Sequence, residues 1–341
     1  MGDFELPDVL RDEMRAAWHR YLDLVVPIRP ALHAYCRRLA RNVWDAEDLV
    51  QETLLRAFGS LGRIHDPVRN PRAYLLRTAT NAWIDGLRRR QLEAAALEES
   101  DPPAAGASGT PGALRDAGTA LLQRLAPQER AAVILKDVFD LSLEESAEVL
   151  ETTVGAVKAA LHRGRARLRE PEGEAAARRP APSASLVDRF VELFNAEDKA
   201  GLLALVLDNA TVENVGIGVE WGYEGHRSPR SWFDGALGGH PEWPPEWRYE
   251  SQRAERALFE DEPIALLFRT RRGREALEGV VRLEEDAGQV ARMRAYGFCP
   301  ETMRELGEAL GLRVRTGPYR YPTPAPGRSY GETGGSRGGE A

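Results

Sequence analysis

Between Val154 and Arg169 the chain carries Lys158, Arg163, Arg165, Arg167 and Arg169 with no acid among them. Cations at this density neutralise phosphates, and the counterions released then drive binding to nucleic acid. The plainer reading is a solvated helix end whose bases complement the negative end of the helix dipole. Upstream, Asn70, Tyr74, Arg77, Asn81 and Arg88 fall on one helical stripe, with Leu75, Ala79, Ala82 and Gly86 on another. Rings stack on unpaired bases while guanidinium groups hold a backbone. Equally, this is an ordinary polar helix face with Tyr74 and Trp83 serving a core.

A third group is acidic. The stretch DAEDLVQETLLRAF, residues 45–58, has four carboxylates and one base. Asp45 is placed to cap the helix and Asp48 to sit in its first turn, which favours the positive helix end. With Ala46, Val50, Thr53, Leu54, Ala57 and Phe58 turned inward, Asp48, Gln51, Glu52 and Leu55 share the opposite face. A mixed acidic and apolar outer face suggests a partner. Further on, His226, Asp234 and His240, with Tyr223 near them, are the residues able to act as general bases. No spacing ties them into a dyad, and a lone His is more often structural, so no catalytic residue is assigned.

The elements that position these groups can be read from periodicity and punctuation. Helices are expected over 8–24, 30–42, 45–58 and 71–90, with Pro30 and Pro71 where a helix can begin. In 141–170, Leu143, Ala147 and Leu150 turn inward, then a short turn runs from Glu151 to Thr153. A second helix follows with Val154, Val157, Leu161 and Leu168 inward, giving the rhythm of a helix-turn-helix. In that geometry the start of the second helix meets base edges, which selects Thr153, Gly155, Ala156, Lys158, Ala159 and His162. Arg163 and Arg165 fall where phosphates are held. From 185 two amphipathic helices precede alternating stretches (TVENVGIG, WRYESQRAE, PIALLFRTR, ALEGVVRLEE, QVARMRAYGF) that read as strands.

Stretches rich in Pro, Gly, Ala and Ser separate these bodies and read as linkers over 91–112 and 171–184 and as a disordered tail over 322–341. The expected division is a helical domain over 1–90, a second over 113–170 and an α+β domain over 185–321. The 341 residues carry a formal charge of −7, which excludes a wholly basic coat but not segregated patches. Cys36 and Cys299 are the only cysteines and offer neither a disulfide framework nor a metal pair. The acidic start and the absence of a long apolar run predict a cytoplasmic protein without membrane contact. No cofactor or metal is expected.

WDAEDLVQETLLRAF, PRAYLLRTATNAWIDGLRRR, LAPQER and SLEESAEVLETTVGAVKAALHRGRARL, in that order, resemble the two modules of extracytoplasmic-function sigma factors of the sigma-70 family, over residues 14–170. The resemblance implies two all-α domains, region 2 and region 4, and binding to core RNA polymerase and promoter DNA. Asp48, Gln51, Glu52 and Leu55 would then meet polymerase. Arg69, Asn70, Arg72, Tyr74, Arg77 and Asn81, with Arg88 on the same stripe, would capture the melting minus-ten element. The helix-turn-helix would read the minus-thirty-five element, and the linker acids Glu93, Glu98, Glu99 and Asp101 would thread the RNA path. Ala156, Ala159 and Ala160 replace polar residues common in the family, Tyr74 replaces Trp and Thr80 a base, so the promoter sequence does not follow from the motif.

The start of the third body, SLVDRFVELFNAEDKAGLLALVLDNATVENVG, resembles SnoaL-like domains of the NTF2-like fold. That implies a cone of curved antiparallel sheet wrapped by helices, and a regulatory domain in cis. Trp221, Trp232, Trp243 and Trp247 would line a ligand cavity, form a protein contact or fill a core. DGALGG, 234–239, departs from the DGGGK signature of one related group, so that group's mechanism is not implied. An anti-sigma factor and a small-molecule ligand of this domain are further possible partners. The alternative function is a helix-turn-helix regulator, independent of polymerase, fused to a SnoaL-like ligand-binding or enzymatic domain.

Overall fold

The computed structural model describes residues 8–40, 42–61, 68–97, 122, 125–168, 182–227, 231–238 and 248–316. The chain divides into two compact units, one of Val25–Arg179 and one of Met1–Leu24 with Pro180–Ala341.

Helix α1 spans Asp8–Val25, α2 Arg29–Leu39, α3 Val43–Leu61 and α4 Pro71–Leu97. The start of α3 lies two residues before the expected one. Asn42, not Asp45, caps it: its Oδ1 accepts from the Asp45 amide at 2.7 Å, and its Nδ2 donates to Asp45 Oδ2 at 3.2 Å. Val43 and Trp44, both buried, draw the helix start into the core. Pro71 opens α4, where its missing N–H costs nothing, and Asn70 Oδ1 caps it by accepting from the Ala73 amide at 3.0 Å. At its far end α4 runs on to Leu97, into the stretch read as linker, because QLEAAAL consists of strong helix formers. The rest of that linker, with Glu98, Glu99 and Asp101, lies outside the described residues, as do the tail and residues 171–181.

The inward stripe of α3 is buried at Ala46, Val50, Thr53, Leu54 and Ala57, with Phe58 half-buried. It packs on α2 and α4. One member of this interior is charged. Glu47 is fully buried and its Oε1 accepts from Arg29 Nη2 at 2.5 Å, with Arg29 only 1% exposed. His33 Nε2 lies 3.8 Å from the other carboxylate oxygen. Burial of an ion pair is tolerated only where both charges are matched, which makes this a specific fastening between α2 and α3.

The second set of helices begins with α5, Pro127–Val133, which continues into a π-helical turn, Ile134–Val138. Helix α6 spans Leu143–Val149 and α7 Val154–Arg167. Ser142 and Glu145 form a capping box on α6: Ser142 Oγ accepts from the Glu145 amide at 3.0 Å, and Glu145 Oε2 accepts from the Ser142 amide at 2.7 Å. Thr153 Oγ1 caps α7 by accepting from the Ala156 amide at 3.2 Å. Between the two helices Glu151 adopts a left-handed conformation, φ 49°, which turns the chain sharply enough to form the helix-turn-helix. Val149, rather than Leu150, is the fully buried residue at the end of α6. Gly164 lets α7 approach α5, since a Cβ there would meet Val133 Cγ2 at 3.0 Å.

In the other unit, helices α8, Ala184–Asn195, and α9, Lys199–Leu205, precede a sheet, as expected, but the sheet has six strands where five stretches were read from alternation. The strands are β1 Val206–Asn214, β2 Gly218–Trp221, β3 Ser251–Phe259, β4 Glu262–Arg271, β5 Arg274–Asp286 and β6 Gln289–Ala295, in the order β2-β1-β6-β5-β4-β3. All pairings are antiparallel except β1 with β6. Register shifts at Leu267/Phe268 and Glu284/Glu285 bend the sheet locally. Leu186, Val187, Phe190, Leu193 and Phe194 of α8 lie in one core with Ala254, Leu267, Val281 and Met293 of the sheet. Short helices α10, Gly222–Arg227, and α11, Trp232–Gly238, follow β2, and α12, Pro300–Leu310, follows β6. No helix among the described residues is long and apolar enough to cross a membrane.

Candidate nucleic-acid and polymerase interfaces

Helix α7 buries Val157, Ala160, Leu161 and Gly164 and exposes Gly155, Ala156, Lys158, Ala159 and His162, with Thr153 exposed just ahead of its first turn. The six candidate base readers therefore share the solvent side of the helix start. Arginines further along are already engaged. Arg163 Nε donates to Glu129 Oε1 at 3.0 Å, Arg167 Nη1 to Glu129 Oε2 at 2.8 Å, and Arg165 Nε to Asp137 Oδ2 at 3.0 Å. The acids come from α5 and the π-helical turn, outside the acid-free window. Arg163 and Arg165 keep about half their surface, 56% and 49%, so each can still meet a phosphate, though with its charge shared. Arg169 lies outside the described residues.

A cleft of about 410 Å³ opens beside this helix, lined by Lys136, Leu143, Lys158, Leu161, His162, Arg165 and Ala166. Lys136 is the cation that pattern reading missed, because it belongs to the π-helical turn and reaches the cleft only through the fold. Apolar and cationic side chains share this lining, and Lys136 is itself paired with Asp140 at 3.2 Å.

Arg69 and Asn70, just before α4, and Arg72, Asn81 and Arg88 on it are exposed, while Tyr74 and Arg77 are half-buried. The Tyr74 hydroxyl donates to the Ala57 carbonyl at 3.4 Å, and the Arg77 guanidinium lies over the Tyr74 ring, 5.7 Å from its centroid. Trp83 is in the core, with the Arg130 guanidinium 4.9 Å from its ring centroid. Thr80, which the family pattern fills with a base, is buried and shares a hydrogen bond of 2.7 Å with the Tyr35 hydroxyl. A cation at that depth would need a counter-charge, so Thr is the residue this packing accommodates.

On α3, Glu52 and Leu55 are exposed and Asp48 and Gln51 half-buried, opposite the core stripe. Leu55 keeps 59% of its surface, an exposed apolar side chain flanked by acids. Gln51 Nε2 donates to Glu47 Oε1 at 2.6 Å, so the buried ion pair below also orients a residue of the outer face. Glu52 accepts from Arg56 Nε at 2.7 Å.

Two helical modules in this order, each with an exposed polar face, match two family models: sigma-70 region 2 over residues 24–93 and sigma-70, region 4 over 119–168. The RNA polymerase sigma-E factor of Streptomyces avermitilis is 37% identical over 140 residues, 41% of this chain and 78% of that protein. CarQ of Myxococcus xanthus, an RNA polymerase sigma factor, is 35% identical over 155 residues, 45% of this chain and 88% of that protein. The chain belongs to the extracytoplasmic-function sigma factors. The SigG sigma factor of Mycobacterium tuberculosis is 32% identical over 238 residues, 59% of this chain but 62% of SigG, less than two thirds of that relative's length. Among solved structures, the sigma factor RpoE of Bartonella quintana, crystallised with the anti-sigma factor NepR, aligns at 25% identity and TM-score 0.37 over 44% of this chain and 94% of that one. The extracytoplasmic-function sigma factor SigJ of M. tuberculosis aligns at 19% identity and TM-score 0.29 over 83% and 98%.

Among the described residues His226 and Asp234 share no direct hydrogen bond, though both neighbour Glu220. His240 lies outside the described residues, and Asp234 is bound by Lys199 Nζ at 2.7 Å and by the Ser231 hydroxyl at 3.0 Å. His226, 2% exposed, shares a hydrogen bond of 3.1 Å from Nε2 to the Ala210 carbonyl. What faces its Nδ1 is Glu220 Oε2, 3.9 Å away, and neither atom has a hydrogen-bond partner among the described residues. Glu220 Oε1 accepts from the Trp232 amide at 2.5 Å. Burial, with Asp234 adding like charge, pushes the Glu220 carboxyl up to about 7 despite that amide, and burial holds the His226 imidazole below its usual value. Of the four tryptophans, Trp221 is 70% exposed on the edge strand and Trp232 packs against Phe190 and Phe233. Trp243 and Trp247 lie outside the described residues.

Proposed function

We propose that this chain is a promoter-specificity subunit that docks on core RNA polymerase through Asp48, Gln51, Glu52 and Leu55 of α3 and performs no chemistry of its own. Acidic side chains orient the approach and Leu55 supplies desolvated contact. The stripe Arg69, Asn70, Arg72, Tyr74, Arg77, Asn81 and Arg88 captures the melted minus-ten strand, where stacking offsets the cost of unpairing. Thr153, Gly155, Ala156, Lys158, Ala159 and His162 read the minus-thirty-five duplex, with Arg163 and Arg165 on phosphates. The short side chains at 155, 156 and 159 limit direct readout to close backbone approach and methyl contacts, which puts weight on Lys158 and on DNA shape.

The observation that carries this reading is the ordered pair of sigma-70 modules with an exposed acidic and apolar face on the first. We assign domain limits of 1–90 for the first module, 113–170 for the second and 185–321 for the sheet body, and a regulatory role to the last. Run-off transcription with purified core polymerase is the test. Promoter-dependent transcript that appears only with the chain supports the reading. Tight duplex binding without polymerase, and no transcript, would favour a conventional repressor or activator. Deletion of 185–341 then tests regulation, which fails if activity is the same across conditions.

A further inference from the structure

Charge in the sheet-bearing unit is sorted by end. At one end, segments 248–253, 269–278 and 313–315 carry eight arginines and three glutamates. The sheet brings these segments together: β3 begins beside the end of β4, the β4–β5 turn closes there, and Arg313–Arg315 run parallel to β5. Leu277 N donates to the Arg313 carbonyl and Arg315 N to the Leu277 carbonyl, each at 2.9 Å. At the opposite end of the same strands, turns 259–262 and 284–288 carry six carboxylates and no base. The ten residues of β4 separate the two ends by about 30 Å, at about 3.3 Å each.

All three glutamates at the arginine end are already engaged. Glu275 accepts from Arg253 Nε and Nη2, each at 2.8 Å. Glu278, 8% exposed, takes Arg271 at 2.8 Å and also Arg315. Glu250 accepts from the Gly273 amide at 3.1 Å. Arg272, Arg274 and Arg313 are exposed and make no ion pair among the described residues. Arg272 stands at the tip of the turn, where φ of 52° there and 66° at Gly273 reverses the chain. Neighbouring positions of such a hairpin and of the strand beside it lie about 5–8 Å apart, so the three guanidinium groups form one patch.

The chain as a whole has a formal charge of −7, so this end is set apart from its surroundings. A segregated cationic end draws a polyanion and turns the acidic end away from it, which a mixed surface could not do. Arginine forks pair with phosphate oxygens through two parallel bonds. A phosphate-bearing partner is also within reach. Helix α7 meets duplex DNA in the function proposed above, and the chain from Arg167 to Ala184 at the start of α8 extends no further than about 55 Å. Within such a tether the duplex stands at high effective concentration, so contacts too weak to act alone contribute.

We propose that Arg272, Arg274 and Arg313 form a third DNA-contacting surface, which holds the phosphate backbone of the duplex that α7 engages. Phosphate contacts carry no sequence information, so this end adds affinity rather than promoter choice. Its proximity to the duplex rests on the reading of α7 above, whereas the cationic end itself does not.

The test uses the full chain and a mixed-sequence duplex of about 40 base pairs, with affinity read by fluorescence anisotropy over a salt series. Arg272→Gln, Arg274→Gln and Arg313→Gln together should weaken binding about tenfold at about 50 mM salt and lower the slope of log affinity against log salt by about 2–3, at about 0.9 for each phosphate. Lys at the same three positions keeps the charges and should restore both readouts, which separates lost charge from lost fold. An iron–EDTA group on Arg272→Cys should cleave the duplex, while the same group on the exposed Asp286→Cys of the acidic end should not; Cys36 and Cys299 are buried. An unchanged slope in the Gln variant overturns the proposal, as does equal cleavage from both ends or none from either. Polyglutamate that competes as well as a second duplex, charge for charge, overturns it in favour of an acidic protein segment. Should Lys158→Gln leave duplex affinity untouched while the Gln variant lowers it, the reading of α7 fails and the arginine end stands.

Discussion

Arg163 donates to Glu129 across 34 residues of sequence, and the same carboxylate, 5% exposed, also takes Arg167. One buried acid thus fixes two arginines of the recognition helix against α5. Glu129→Gln should cost about 1–2 kcal/mol of stability, since both arginines keep solvent access once their partner's charge is gone. It should also make minus-thirty-five binding more salt-dependent, because two more guanidinium groups are available to displace counterions. Thermal melting and a salt titration of duplex affinity check the pair of effects. A loss of stability with no steeper salt slope would show that neither arginine reaches the DNA.

That carboxylate also marks where pattern reading stops. Apolar spacing and punctuation placed the second helix of the helix-turn-helix where it stands, Val154–Arg167, because both are local properties. Its charge was not local. Glu129 and Asp137 arrive from an earlier helix and a π-helical turn, and Lys136 joins the cleft by the same route. Caps were legible only to within a few residues, since Asn42 and Asp45 both suit the role and buried Val43 and Trp44 decide between them. Five of the six strands were legible from alternation; β2, only four residues, was too short to show it, and the parallel β1–β6 pairing was not legible because register between distant strands leaves no local trace. Glu220 was missed as the partner of His226 for a related reason: on an exposed edge strand, a carboxylate six residues away looks like solvent-facing polarity.

Glu220 and His226 should give the sheet-bearing unit a pH-dependent stability. Glu220, its carboxyl raised to about 7, holds its proton more tightly folded than unfolded. The stability this contributes is full below the ordinary carboxylate range and is lost as pH rises through about 7. With 24% of the side chain exposed, the loss should be about 2 kcal/mol after allowance for solvent screening. His226 has the opposite sign. Burial keeps it neutral, so it costs stability as pH falls below its ordinary 6.5. Between about pH 6 and about pH 8 the Glu220 effect should dominate. Glu220→Gln should flatten the decline in melting temperature over that interval, and an unaltered decline would remove Glu220 as its source.

Beneath the proposed polymerase face lies the buried Arg29–Glu47 pair. Glu47→Gln should remove the carboxylate matched to a buried guanidinium and destabilise the helical unit by about 3–5 kcal/mol. Arg29→Met with Glu47→Leu, which removes both charges and restores apolar volume, should recover most of that loss. Denaturant titrations of the single and double variants measure the coupling. If the double variant is no more stable than Glu47→Gln, the fastening of α2 to α3 is packing rather than charge matching.

Docking on polymerase can be separated from folding by changing only the outer residues of α3. Asp48 and Glu52 lie outside the buried stripe, so replacing both with Lys should alter stability by less than about 1 kcal/mol. Core association, by contrast, should weaken by at least about tenfold, since the substitution turns attraction into repulsion across a cationic partner surface. Leu55→Ala should weaken it through lost apolar contact and, unlike the charge changes, should do so equally at low and high salt. Affinity for purified core polymerase at two ionic strengths reads all three. Retained affinity in the Lys variant would move the docking surface off this face of α3.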